Sequence, residues 1–141
     1  MNYALLLAAL LPLAAQAQKL SVWQVPAAAV TAFRTQFPEA KTVHWEKEAA
    51  NYEADFAQKG VEMSAVFTAA GVLVETESAI RYNLLPALAR TALAQQYKGY
   101  KIVETAKIVS AGGIVQYEAE VSRSGKRQDV LFDSNGRLLS K

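Results

Sequence analysis

The sequence predicts an α+β fold made of two tandem repeats, each a helix followed by a four-stranded antiparallel sheet, with both helices packed on one sheet face. Three observations predict it. The second half of the chain echoes the first at an offset of sixty to sixty-five residues, a helical period occurs once in each half, and the period switches to two after each helix.

The repeat is read from matched segments. Val25-Pro26 recurs as Leu85-Pro86, and the aromatic Phe37 recurs as Tyr97. Further on, Tyr52-Glu53-Ala54-Asp55-Phe56 matches Tyr117-Glu118-Ala119-Glu120-Val121, Gly60 matches Gly125, and the stretch from Val66 to Gly71 matches Leu131 to Gly136. The offset has grown by five, so the first strand pair of the second copy holds five extra residues.

Each helix announces itself by spacing. From Pro26 to about Gln36, Ala29, Val30, Phe33 and Phe37 recur at helical intervals, with Pro26 near the first turn, where its missing N–H costs little. In the second copy Asn83 is the expected N-cap, and Leu85, Leu88, Ala89, Ala92 and Leu93 form the apolar stripe of a helix from Leu84 to about Gln96. Alternation then takes over in Thr42 to Glu46 and in Tyr52 to Phe56, the mark of half-buried strands. Lys59-Gly60 and Ser124-Gly125 supply two-residue turns for antiparallel hairpins, and further turns lie at Ala70-Gly71 and Asn135-Gly136. No additional helical segment supports parallel crossovers.

Parity assigns the faces. Val43, Trp45, Tyr52, Ala54, Phe56 and Phe67 fall toward the first helix, as do Tyr117, Ala119, Val121, Val130 and Phe132 toward the second. His44, Glu46, Glu53, Asp55, Glu118 and Glu120 fall on the opposite face, which is expected to be open to water. One continuous sheet and two abutting four-stranded sheets both satisfy this pattern.

Composition bounds the function. A chain of 141 residues, 52% hydrophobic and 20% charged, is a folding globular domain. Fifteen basic and thirteen acidic side chains are spread throughout, so no basic stripe proposes nucleic acid as a partner. Residues 1–17 carry no charged side chain and end in Ala15-Gln16-Ala17, which reads as a secretory signal cleaved before Gln18. The expected organisation is thus a leader (1–17), a first repeat (18–78) and a second repeat (79–141), in a periplasmic or secreted protein with no stable membrane insertion after cleavage. Cysteine is absent, which removes thiol nucleophiles, redox pairs and thiolate metal sites.

The residues that could carry chemistry are few. A nucleophile triad fails because His44 is the only histidine. His44 and Glu46 face the same way two apart on a strand, but two ligands do not make a metal site. Glu53, Asp55, Glu118 and Glu120 could act as carboxylate pairs in glycoside hydrolysis, yet nothing in the sequence raises one pKa above another. The row reads instead as a contact for a basic partner, and exchange of Glu53 and Glu118 for Gln is expected to leave stability nearly unchanged. Tyr97-Lys98-Gly99-Tyr100 places two aromatics and a cation after the second helix. Tyr97 repeats Phe37 as a core residue, while Tyr100 suits either the core or an interface.

The stretch from Pro26 to Glu48 (PAAAVTAFRTQFPEAKTVHWEKE), the Tyr52-Glu53-Ala54 strand, Leu85-Pro86, Tyr97 to Ile102 and Phe132 to Gly136 resemble the PepSY-like, β-lactamase-inhibitor-like periplasmic proteins of Gram-negative bacteria. The resemblance covers nearly all of the chain after the leader. It implies a tandem α/β4 fold similar to β-lactamase inhibitor protein, an exported location, no assigned enzymatic activity and no cofactor. PepSY-type domains in protease propeptides add the implication of a protein partner. Two departures stand out: His44 occupies a position more often Lys, and Thr68-Ala69-Ala70-Gly71 replaces the Asp-x-Asn-Gly turn kept at Asp133 to Gly136. The expected function is a non-catalytic, exported binding module, inhibitor-like or chaperone-like, whose partner is another exported protein. Its expected contact residues are Glu46, Glu53, Asp55, Glu118, Glu120 and Tyr100, with no catalytic and no metal residues. The alternative is a small-ligand or cation binder using the same acidic face. A flat acidic face favours the first, whereas an aromatic-lined pocket with perturbed carboxylates would favour a ligand site or an enzyme.

Overall fold

A computed structural model of the chain describes residues 18–140; the expected leader, residues 1–17, lies outside the described residues. The elements run β1 (Gln18–Leu20), α1 (Ala27–Gln36), β2 (Lys41–Glu48), β3 (Asn51–Gln58), β4 (Val61–Phe67), β5 (Leu73–Ala79), α2 (Ala87–Gln96), β6 (Lys101–Ser110), β7 (Val115–Arg123), β8 (Lys126–Asp133) and β9 (Leu138–Ser140). A single 3-10 turn precedes each helix, at Val22–Gln24 and Tyr82–Leu84. All nine strands form one antiparallel sheet in chain order.

Strand β5 explains why there is one sheet. Its start, Leu73, aligns with Leu138 of β9, and its end runs into Ser78 to Ile80, the counterpart of Gln18 to Leu20 in β1. It is therefore the last strand of the first unit and the leading strand of the second. The expected division between residues 78 and 79 falls inside this strand, so the units share an element where a linker would otherwise stand. The leading strand β1, which raises the strand count from eight to nine, went unread because three residues are too few to show a period.

Both helices begin immediately after proline. The Pro26 and Pro86 carbonyls accept the first helical bonds, from Val30 at 3.2 Å and Arg90 at 3.1 Å, while their rings fix φ at −53° and −52°. This corrects the expected cap at Asn83, which lies in the preceding 3-10 turn. The stripe on α2 is also narrower than expected. Leu85, Ala89 and Leu93 reach the sheet, whereas Leu88 is 55% exposed because it falls on the helix's outer flank.

The two cores fill equivalent spaces with different volumes. In the first, Phe33 of α1 meets Phe56 at 5.1 Å, Trp45 at 5.4 Å and Phe67 at 6.2 Å, each ring edge-on to it. In the second, Leu93 takes the place of Phe33 and packs over Ala119, Val121, Val130 and Phe132. Where Val121 replaces Phe56, Val130 replaces Ala65, so lost volume on one strand is returned on its neighbour.

Turn chemistry sets the register. Lys59-Gly60 and Ser124-Gly125 have φ of 52° and 78°, and 52° and 77°, the all-positive pair that a two-residue hairpin turn requires. Gly71 and Gly136 do something different: they press the β4–β5 and β8–β9 turns against the helices. A Cβ on Gly71 would lie 2.6 Å from the Ala28 carbonyl oxygen, and one on Gly136 would lie 2.7 Å from the Ala89 nitrogen. In the second turn the Asp133 carboxylate accepts the Asn135 and Arg137 N–H groups, while the first turn keeps only one such bond, from the Val72 N–H to the Thr68 hydroxyl.

Two outcomes test this packing. Phe67→Ala and Phe132→Ala should each cost about 3–5 kcal/mol in urea unfolding, and a loss under about 1 kcal/mol at either would contradict the assignment of faces. Gly71→Ala and Gly136→Ala should each cost about 2 kcal/mol or more. Gly125→Ala, with φ of 77° but no atom within 4 Å of the new Cβ, should cost about 1 kcal/mol.

Candidate functional site

Pairing register carries one face of the sheet to the helices and leaves the other bare. Trp45 stands opposite Ala54, Ala54 opposite Ala65, and Ala119 opposite Val130, all buried on the helix side. The neighbours of these residues along each strand occupy the bare face, and six of the ten are acidic. Glu46 faces Glu53, Ser64 faces Glu77, Val66 faces Glu75, Glu104 faces Glu120, and Glu120 faces Asp129. Of the thirteen acidic residues in the chain, only Glu39 lies off this face by register. Asp133 spends its carboxylate on its own turn.

The row read from sequence thus covers two patches of a larger surface. Glu46, Glu53 and Asp55 form one on β2 and β3, and Glu118 and Glu120 the other on β7. The residues that join them, Glu75 and Glu77 on β5 and Glu104 on β6, were missed. The alternation in Glu75-Thr76-Glu77-Ser78 carried the signal, since acids two apart on a regular strand must share a face. Glu77 occupies the centre. Its carboxyl feels Asp55 from the first unit and Glu104 and Asp129 from the second.

The face is not a flat, fully wetted row. Val66, Ala106 and Ile108 lie on it and are nonetheless buried, covered by the longer side chains around them. A groove of about 410 Å³ runs over β3 to β6 between Glu53, Asp55, Glu77 and Glu104. Burial, reinforced by neighbouring carboxylates, pushes Glu53 up to about 7, Glu77 up to about 7 and Glu118 up to about 8. For Glu53 the nearby Ser64 hydroxyl offsets part of the effect. Glu48, Asp55, Glu75 and Asp129 are also raised, each chiefly by burial. The sequence, in which nothing raises one of these carboxylates above another, does not show this common upward shift.

Cations sit at the margin. Arg127 donates to Glu120 at 2.9 Å, the one ion pair on this face among the described residues. His44 stands opposite Asp55 on β2 and partly counters the upward shift there. No group of three or more His, Asp and Glu side chains converges as a metal would need, among the described residues.

Tyr100 is not part of this surface. Its ring packs edge-on against Tyr97 at 5.5 Å with the Arg123 guanidinium 5.5 Å away, and it borders the second core on the helix side. The loop after α2 folds down onto the core, so Tyr100 and the five carboxylates belong to opposite faces of the sheet.

The raised carboxylates make stability depend on pH with a definite sign. Their folded pKa values lie above the unfolded value of 4.5, so the folded state holds protons that the unfolded state releases. The stabilisation is full below pH 4.5 and is lost as pH rises through 7 to 8. The melting temperature should be on the order of 5 °C higher at pH 5 than at pH 8. Glu53→Gln with Glu118→Gln should raise the pH 8 value and flatten the profile. This replaces the neutral effect expected from sequence, and an unchanged slope would show that burial does not perturb these groups.

Comparison with known proteins agrees with this architecture. The family model described as putative β-lactamase-inhibitor-like, PepSY-like matches residues 13–75 and again residues 50–140. A putative periplasmic protein from Bacteroides eggerthii is similar with a TM-score of 0.74 at 19% identity, covering 82% of this chain and 86% of that one. A BLIP-like protein from Bacteroides fragilis is similar with a TM-score of 0.63 at 25% identity, covering 80% and 82%. The search of curated proteins gives no match. The two family matches overlap over residues 50–75 and together span nearly the whole chain, so the chain belongs to the β-lactamase-inhibitor-like, PepSY-like family.

Proposed function

We propose that the chain is an exported, non-catalytic binding module that presents its acidic sheet face to a basic protein partner. One observation carries the reading: nearly every carboxylate in a chain of net charge +2 is gathered on one side of one sheet. Like charges so gathered destabilise the unbound fold, and a cationic surface relieves that cost on binding. The inhibitor-like family supports a protein partner, and the periplasmic description of the Bacteroides eggerthii protein supports export. For the described residues, no helix is long and apolar enough to cross a membrane.

Catalysis fits the groove poorly. Glu53, Glu77 and Glu118 all move upward together, whereas an acid–base pair needs environments that push two groups apart. No aromatic side chain lines the groove to stack a sugar ring. A second reading, a small organic polyamine held between Glu53, Asp55, Glu77 and Glu104, is favoured by the groove's size.

The test is retention of envelope proteins on the immobilised protein at pH 7.5 and at pH 5, beside a variant carrying Gln at Glu53, Glu77 and Glu118 and Asn at Asp55. A basic protein should be held at pH 7.5, released at pH 5 as the carboxylates take up protons, and absent from the variant. Retention that ignores both changes would remove the acidic face from the interaction. Spermidine bound in calorimetry, with no protein retained, would select the second reading.

A further inference from the structure

On the helix side of the sheet, α1, β1 and β2 enclose a groove of about 550 Å³ that the acidic face does not share. Its floor is aromatic, with Phe33, Phe37 and Trp45 on the lining. No acidic residue lines it; the ionisable residues there are Lys19, Arg34 and His44. Lys19 and His44 stand in register with Glu46 and Asp55, which draws their charge toward the opposite face. Arg34 is different. It lies in the last turn of α1, on the groove's own side, and forms no ion pair among the described residues.

The second unit shows how the space arises. Sixty residues after Ala40 stands Tyr100, whose ring packs against Tyr97 and borders the second core, whereas Ala40 puts only a methyl group on the lining of the first-unit groove. The first unit therefore keeps a cavity bordered by rings and one uncommitted guanidinium. A volume in this range suits a small molecule, and the lining asks for an apolar body with one negative end.

We propose that this groove is a binding site for a small apolar carboxylate, its hydrocarbon or aromatic body lying on Phe33, Phe37 and Trp45 and its charge on Arg34. The site is independent of the acidic face, so either can fail without the other.

Trp45 is the natural reporter. Trp23, 91% exposed and off the lining, is first replaced in the full chain by Trp23→Phe, leaving Trp45 as the sole tryptophan. Decanoate is then titrated at pH 7.5, below the concentration at which it self-associates, with decanol as the uncharged comparison. The expected result is a saturable change in Trp45 emission, weakened about tenfold or more by Arg34→Glu and by the loss of charge in decanol. Ala40→Tyr, which copies the second unit, should abolish it while circular dichroism stays unchanged. No saturable signal overturns the proposal, as does equal affinity for decanoate in the parent and in Arg34→Glu. Should Ala40→Tyr fail to fold, the Arg34→Glu and decanol comparisons decide the matter by themselves.

Discussion

The structure depends on one constraint: β5 must satisfy two units at once. One edge of it, over Leu73–Ser78, pairs with β4 of the first unit, and the other, over Glu75–Ala79, pairs with β6 of the second. The strand's register irregularity lies at its start, between the pairings of Leu73 and Glu75, and beyond it one alternation from Glu75 to Ala79 serves both units. Whatever β5 places on the side away from α1 therefore lies away from α2 as well. Glu75 and Glu77 occupy that side, and they turn two acidic patches into one field.

The fold was legible because its signals are local and redundant. Pro26 and Pro86 mark the helix starts, Lys59-Gly60 and Ser124-Gly125 mark the hairpins, and each is confirmed by its copy. Asn83 misled as a cap because side-chain capping was expected where a proline carbonyl does the work. Leu88 misled because an apolar residue next to Ala89 reads as part of a stripe that the narrow contact with the sheet does not need. The continuity of the sheet was not legible, since a strand that serves two repeats looks like the end of one and the start of the next.

The candidate site was half legible. Parity placed Glu46, Glu53, Asp55, Glu118 and Glu120 on one face correctly, but it gave no measure of how deeply each sits. Burial of Val66, Ala106 and Ile108 on that face, and of the carboxyls of Glu53, Glu77 and Glu118 beside them, is a property of the assembled sheet. Tyr100 failed for another reason. A Tyr-Lys-Gly-Tyr loop has the composition of an interface whether it points outward or folds onto the core, and its contact with Tyr97 and the second core appears only once the chain is folded.

The shared strand also fixes the footprint that the acidic face can offer. Nine strands spaced about 4.8 Å apart make a surface roughly 38 Å wide, and eight-residue strands make it roughly 26 Å long. That gives on the order of 1,000 Å², comparable to the area that each partner contributes to a stable protein interface. One unit with its own five strands would present roughly half as much, in the range of weak encounters. Fusion through β5 thus doubles the footprint without adding a hinge across it.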